Sequence, residues 1–363
     1  MLPAVARSLG SSRYAAAPDL GLPAARRAVV LLVDGLGHEQ LLRRGGHAPF
    51  LRGHLAAAPA LDCGFPSTTA TSMGSFGTGT PPGTHGLVGY EVLVPGEERV
   101  FNELSWERGP DPRVWQPHRT VFEELSDEGV AVTLVGPGFF QGSGLTTAAL
   151  RGARFRSGST LAARVTAAAD AVRASARALV YVYWGDLDKV GHVSGVASWE
   201  WGDELEAVDR AVAQLAARVP ADTAVHVTAD HGMVDVPSDR RVDLAHERDL
   251  LAGVRLVGGE PRGTQLYCAV GAAPDVLDRW RARLGDSAWV ASRAELVDSG
   301  WFGAVRREVL PRIGDVVAVM LGDGAVVDSE RMRPEVLRLK GLHGSVTSAE
   351  RTVPFVSLPP RTA

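Results

Sequence analysis

The chain has 363 residues, 45% hydrophobic and 22% charged, a composition that builds a large packed core and excludes disordered and fibrous classes. Lys+Arg at 38 against Asp+Glu at 42 gives a net charge of −4, which removes the broad positive field needed for binding nucleic-acid polymers or anionic membranes. Two cysteines, Cys63 and Cys268, cannot make a disulfide framework and suit a reducing compartment, so the expected location is the cytoplasm.

In chain order, the first 21 residues lack the charged and apolar regions of a secretory signal. The apolar run 28–33 falls far short of the about 20 residues that span a bilayer. It predicts a central strand, followed by a helix at 39–43. Residues 81–117, rich in Gly, Pro and aromatics, predict an irregular excursion over the sheet edge. Further strands are expected at 130–135, 179–183 and 224–228, alternating with helices at 120–128, 160–176 and 200–218. That alternation predicts an α/β fold on a mainly parallel sheet flanked by helices. From about 242 to 336, with a helix at 275–284, the pattern changes to a small α+β cap inserted in a single 1–363 domain.

Three of these strands run directly into acid-bearing segments. The first ends in Asp34-Gly35, the third in Trp184-Gly185-Asp186-Leu187-Asp188-Lys189-Val190-Gly191-His192, and the fourth leads to Asp230-His231-Gly232-Met233. Ligands of open α/β sheets gather at the carboxyl ends of strands. A late Gly341-Leu342-His343-Gly344 adds another imidazole. Three Asp and three His converging there would repel or stand unpaired unless cations hold them. Mixed imidazole and carboxylate donors favour zinc over magnesium or calcium, and six donors suit two ions better than one. His38, His85 and Asp186 are expected to play supporting parts. Gly136-Pro137-Gly138 lacks the spacing of a dinucleotide fingerprint.

A hydroxyl run, Pro66-Ser67-Thr68-Thr69-Ala70-Thr71-Ser72, precedes a helix-compatible stretch and then Gly77-Thr78-Gly79 and Thr84-His85-Gly86. It puts a hydroxyl at a helix N-terminus, where free N–H groups favour anions. With these segments in this order, from Val29 to His343, the chain resembles the alkaline phosphatase superfamily and, within it, the nucleotide pyrophosphatase/phosphodiesterase family.

The resemblance implies an alkaline-phosphatase-like fold and a two-zinc centre, with Mn2+ or another divalent ion as a substitute. It implies Asp188, His192 and His343 as ligands of one metal, and Asp34, Asp230 and His231 as ligands of the other. Thr69 aligns with the family's nucleophilic threonine, which also contacts a metal, although Thr68 and Thr71 lie close by. The backbone N–H of Ala70 is the expected donor to the phosphoryl group. The pattern departs from the family at one position: the family's Asn donor falls on Tyr90, leaving its O–H or the Asn102 carboxamide as replacements. No Arg lies between Cys63 and Arg99 to grip a dianion. The expected reaction is therefore hydrolysis of small phosphodiesters or nucleotide pyrophosphates through a phospho-threonine. The alternatives are a monoesterase or phosphonate hydrolase on the same centre and, further off, a metal-stabilised binding protein. Residue types leave the oligomeric state and the physiological substrate open.

Overall fold

The 28–33 run forms the strand Arg27–Val33 of a computed structural model, which describes residues 1–55 and 60–361. This strand sits inside a seven-stranded sheet, paired in parallel with Ala178–Trp184 on one side and Thr223–Thr228 on the other. Ala131–Gly136 and Arg154–Ser157 continue the sheet in parallel. Thr352–Leu358, a strand the sequence reading did not anticipate, joins Thr223–Thr228 antiparallel and carries Ala60–Asp62 on its outer side.

Strand side chains alternate between faces, and the first strand divides accordingly between two cores. Ala28, Val30 and Leu32 enter a core with Met73, Phe122 and Tyr181, while Val29, Leu31 and Val33 pack with Val165, Val172 and Trp201. Helices Thr69–Thr78 and Val121–Asp127 therefore cover one face, and Leu161–Arg173 and Trp199–Arg218 the other. The chain is thus a mixed α/β protein with a mainly parallel sheet between helical layers. Local chemistry starts three of these helices. The hydroxyls of Thr120, Thr160 and Ser198 accept the N–H groups of Glu123, Ala163 and Trp201, satisfying donors that a helix start leaves orphaned.

A second sheet of four antiparallel strands runs in the order Val254–Glu260, Gly263–Cys268, Val316–Met320, Ala288–Ser292. Its Val317 and Val319 enter the first core, whereas Val316, Ala318 and Met320 meet Trp280 of the helix Ala273–Leu284. The expected excursion over the edge of the central sheet takes a different form. Glu91–Leu93 and Val100–Asn102 make a two-stranded hairpin against Val254–Glu260 of the second sheet, with Val92 and Phe101 buried. Val92 and Phe101 give this hairpin a buried face, and Phe101 packs against Trp106 and Trp115. Among the described residues no helix is long and apolar enough to cross a membrane.

Candidate metal centre and its threonine

Parallel register brings the three acidic segments to one edge. Val33 pairs with Trp184, and Leu32 with Thr228, so the residues that follow these strands emerge side by side. Asp34 leads into Gly35, whose φ of +73° turns the chain; a Cβ there would come within 3.0 Å of Asp188. The helix Asp186–Ser194 starts where the third strand ends and stacks Asp188 and His192 one turn apart. Gly191 lets this helix lie against Met233, whose Sδ would be 2.7 Å from an added Cβ. His343 arrives from far along the chain because Gly341–Leu342 pairs with Val234–Asp235 immediately after the Asp230-His231 segment.

Six side chains consequently form two groups, Asp34/Asp230/His231 and Asp188/His192/His343, with the donor atoms within each group no more than 4.8 Å apart. His231 Nε2 lies 3.4 Å from Asp34 Oδ1 and 3.6 Å from Asp230 Oδ2, and His192 Nε2 lies 3.4 Å from Asp188 Oδ2. Donors about 2.1 Å from a tetrahedral ion stand about 3.4 Å apart, so these separations are of the right size. The groups adjoin: the His231 and His343 rings stack with centroids 3.7 Å apart.

Hydrogen bonding fits a cation equally well. His192 Nδ1 bonds to the Gly341 carbonyl at 2.7 Å, His231 Nδ1 to Gly232 at 3.0 Å and His343 Nδ1 to Ser67 at 2.9 Å. A carbonyl only accepts, so each Nδ1 carries the proton and each Nε2 keeps its lone pair for a ligand. Asp34 Oδ1, Asp188 Oδ1 and Asp230 Oδ2 are buried with no partner. Burial, reinforced by Asp230, pushes the Asp34 carboxyl up to about 8, while burial raises Asp230 to about 6 and Asp188 well above the usual carboxylate range. Burial also lowers His192 to about 4 and, with the neighbouring imidazoles, holds His343 well below its ordinary value. Neutral imidazoles facing carboxylates that lack counter-charges are the donor set a divalent cation satisfies.

The hydroxyl run is sorted by the helix that begins there. Thr68 is the N-cap residue of Thr69–Thr78, and its side chain makes no capping bond. Thr69 Oγ1 lies 3.3 Å from His231 Nε2. Thr71 is fully buried and its hydroxyl has no partner. Ser72, one turn beyond Thr69, donates to the Asp230 carbonyl at 2.7 Å and locks the helix to the fourth strand. Ser67 ties in the C-terminal segment, donating to Ser345 O at 2.8 Å and accepting from Gly344 N at 3.1 Å. The first intrahelical bond runs from Ser72 N to Thr68 O, so the Ala70 N–H has no helical partner.

Tyr90 and Asn102 come together, both lining a cavity with Glu260. Neither belongs to the two donor groups. His85 and Asp186 also stand outside them, His85 bonded to Ser75 Oγ at 3.0 Å and Asp186 to Lys189 at 2.7 Å. His38 lies outside as well, at the start of the helix His38–Arg43. Two residues escaped the sequence reading. The Tyr183 hydroxyl donates to Asp34 Oδ2, leaving Oδ1 to face the cluster, and Glu260 Oε2 lies 3.5 Å behind His343 Nδ1. Tyr183 is on a strand already placed at the site, one residue from the motif, so its position held a signal. Glu260 is on the second sheet, and nothing nearby in sequence marks it.

A family model described as type I phosphodiesterase / nucleotide pyrophosphatase matches residues 28–346. No curated protein matches the chain. Among solved structures, murine ectonucleotide pyrophosphatase / phosphodiesterase 5, as an inactive variant in complex with AMP, is similar with a TM-score of 0.74 at 16% identity, over 92% of this chain and 88% of that one. Phosphonoacetate hydrolase from Sinorhizobium meliloti 1021 in complex with phosphonoformate gives a TM-score of 0.71 at 21% identity, over 93% of this chain and 91% of that one.

Proposed function

Because the chain belongs to the type I phosphodiesterase / nucleotide pyrophosphatase family of the alkaline phosphatase superfamily, we propose that it cleaves phosphodiester or pyrophosphate bonds of small nucleotide-type substrates through a phospho-threonine at Thr69. The observation that carries this reading is the Thr69 hydroxyl at a helix head, 3.3 Å from His231 Nε2 of one donor group, whose ring stacks on His343 of the other. Asp34, Asp230 and His231 would hold one divalent cation, and Asp188, His192 and His343 the other, with zinc the best match to mixed nitrogen and oxygen donors. Such a pair supplies Lewis-acid stabilisation of charge on the attacking and departing oxygens and lowers the pKa of bound water.

The chain's own part is positioning. Thr69 Oγ1 gives its proton to solvent water and attacks phosphorus while the bond to the departing oxygen breaks, the electron pair leaving with that oxygen, which takes a proton from water. Water then attacks phosphorus, breaks the Oγ1–P bond and returns a proton to the threonine. The Ala70 N–H, free of a helical partner at the helix head, would donate to a phosphoryl oxygen as it gains charge. A cleft beside Thr69, lined by Met73, Leu104, Leu134, Phe140 and Tyr183, carries no Lys or Arg. That lining favours a monoanionic diester over a dianionic monoester, which wants a guanidinium fork. The AMP complex of the murine neighbour supports a nucleotide as the retained half.

The test is turnover by zinc-loaded protein of thymidine 5′-p-nitrophenyl phosphate, bis-p-nitrophenyl phosphate, p-nitrophenyl phosphate and phosphonoacetate. The diesters should be preferred in kcat/KM by roughly 100-fold. Preference for the monoester or for phosphonoacetate, the alternative kept open by the likeness to phosphonoacetate hydrolase, would reject this reading.

A further inference from the structure

A second cavity, of about 510 Å³, lies between the Glu91–Asn102 hairpin, the second sheet and the segment 326–336, and Glu260, 3.5 Å from His343 Nδ1, lines it. Its lining is polar in an unusual way. Glu260 and Asp328 are 7% and 4% exposed, yet Glu260 Oε1 and Asp328 Oδ2 have no hydrogen-bond partner. The other Asp328 oxygen is used, accepting the N–H groups of Glu330 at 3.1 Å and Arg331 at 3.3 Å. Arg331 and Arg333 line the same space, and among the described residues neither has a carboxylate within 4.0 Å. The cavity thus holds buried acceptors that need donors, and it is also lined by the solvent-exposed guanidinium groups of Arg331 and Arg333 and by the carboxylates of Glu91 and Glu107.

That combination selects a ligand class. An ammonium group would satisfy the carboxylates but face two guanidinium groups, and a phosphate would satisfy the guanidinium groups but face the carboxylates. A hydroxyl both donates and accepts. Position adds the second half of the argument. Thr69 lies against His231 of one donor group, which leaves the other, containing His343 with Glu260 beside it, to hold the departing oxygen, while Tyr183 and Thr69 line the other cleft. We infer that this cavity receives the departing half of the diester, and that this half is a neutral polyol such as a glycerol or sugar moiety. The inference rests on the phosphodiesterase reading above and narrows its substrate class.

The experiment compares two esters of thymidine 5′-phosphate that differ only in the alcohol, glycerol in one and 1-propanol in the other, with zinc-loaded protein. The glycerol ester should be cleaved with a kcat/KM about tenfold higher, as expected for one or two hydrogen bonds to buried charged groups. Its products should be glycerol and thymidine 5′-phosphate. Asp328→Asn should remove most of that advantage, lowering kcat/KM for the glycerol ester far more than for the propyl ester. Equal kcat/KM for the two esters in the wild-type protein would overturn the assignment, whatever the variant does. So would release of thymidine and glycerol phosphate, or a loss in Asp328→Asn shared by both esters. Failure to cleave either ester, with p-nitrophenyl phosphate hydrolysed, would bring down the phosphodiesterase reading itself and this inference with it.

Discussion

The two donor groups have the same kinds of ligand and different surroundings. Asp34, Asp230 and His231 are all buried, held by strand ends and by Tyr183, whereas Asp188, His192 and His343 are partly exposed and stand on one turn of helix and a late loop. Similar donors in a closed and an open setting should bind a cation with different exchange rates and different dependence on the fold. The closed group can fix the geometry of the nucleophile, and the open one can accept whatever leaves. That division of labour suits a two-step displacement better than two equal sites would.

The largest effect expected from this contrast is at the nucleophile. Thr69→Ala should lower kcat by about 10⁴-fold or more, with metal content unchanged when measured by elemental analysis. Activity near that of the wild type would sink the assignment and turn attention to Thr68 or Ser67. Next come the ligands. Asp230→Asn should lose both its ion and several degrees of melting temperature, because an amide in a closed carboxylate site leaves the rest of the group unmatched. His343→Ala should lose an ion with little change in melting temperature. During dialysis against a chelator, the zinc content should accordingly pass through a plateau near one ion per chain. A single-phase loss of both ions would break the comparison.

Smaller effects test the supports. Tyr183→Phe removes the donor that orients Asp34 and should weaken metal retention in the closed group by about tenfold, within the range typical of groups that orient ligands. An equal weakening of both groups would argue against the contrast.

The smallest expected effect is on pH. In chelator-treated protein the native Asp34 carboxyl keeps its proton to about pH 8, whereas the unfolded chain releases it near pH 4. The stability it contributes is therefore complete below about pH 4 and lost as the pH rises to 8. His192, lowered to about 4, works in the opposite sense: its contribution is complete above about pH 6.5 and lost as the pH falls. Between pH 6.5 and 8 the carboxyl effect stands alone of the two, and stripped protein should lose on the order of 1–2 kcal/mol. Zinc-loaded protein should lose none, since its ligands are already deprotonated. Parallel melting curves for the two forms would contradict the pKa directions given for the site.

Much of this architecture could be read from the chain because its signals are local. The four central strands are apolar runs ending in Asp or Gly, and the helices beside them open at hydroxyl caps, so strand-end chemistry announced Asp34, Asp188 and Asp230 before any fold was known. The i, i+4 spacing of Asp188 and His192 fits one helical face, but no helix was expected there, and the structure forms one over Asp186–Ser194. The hairpin at 91–102 was missed because its two strands are three residues each, too short for a period-two pattern to stand out. Thr352–Leu358 was missed for a related reason: it is an antiparallel addition to an otherwise parallel sheet and follows the last motif.

By itself, the amino-acid sequence determined the kinds of ligand available, the order of the strands that carry them and the hydroxyl run that supplies Thr69. Only tertiary structure decided how these share space. It brought His343 in through a two-residue pairing with Val234–Asp235, separated Thr69 from Thr68 and Thr71, and set Glu260 behind an imidazole 83 positions away. The physical reason is that propensity, capping and periodicity act over a few residues, whereas burial, the pairing of donors with acceptors and the charge around a cation depend on neighbours that only packing supplies.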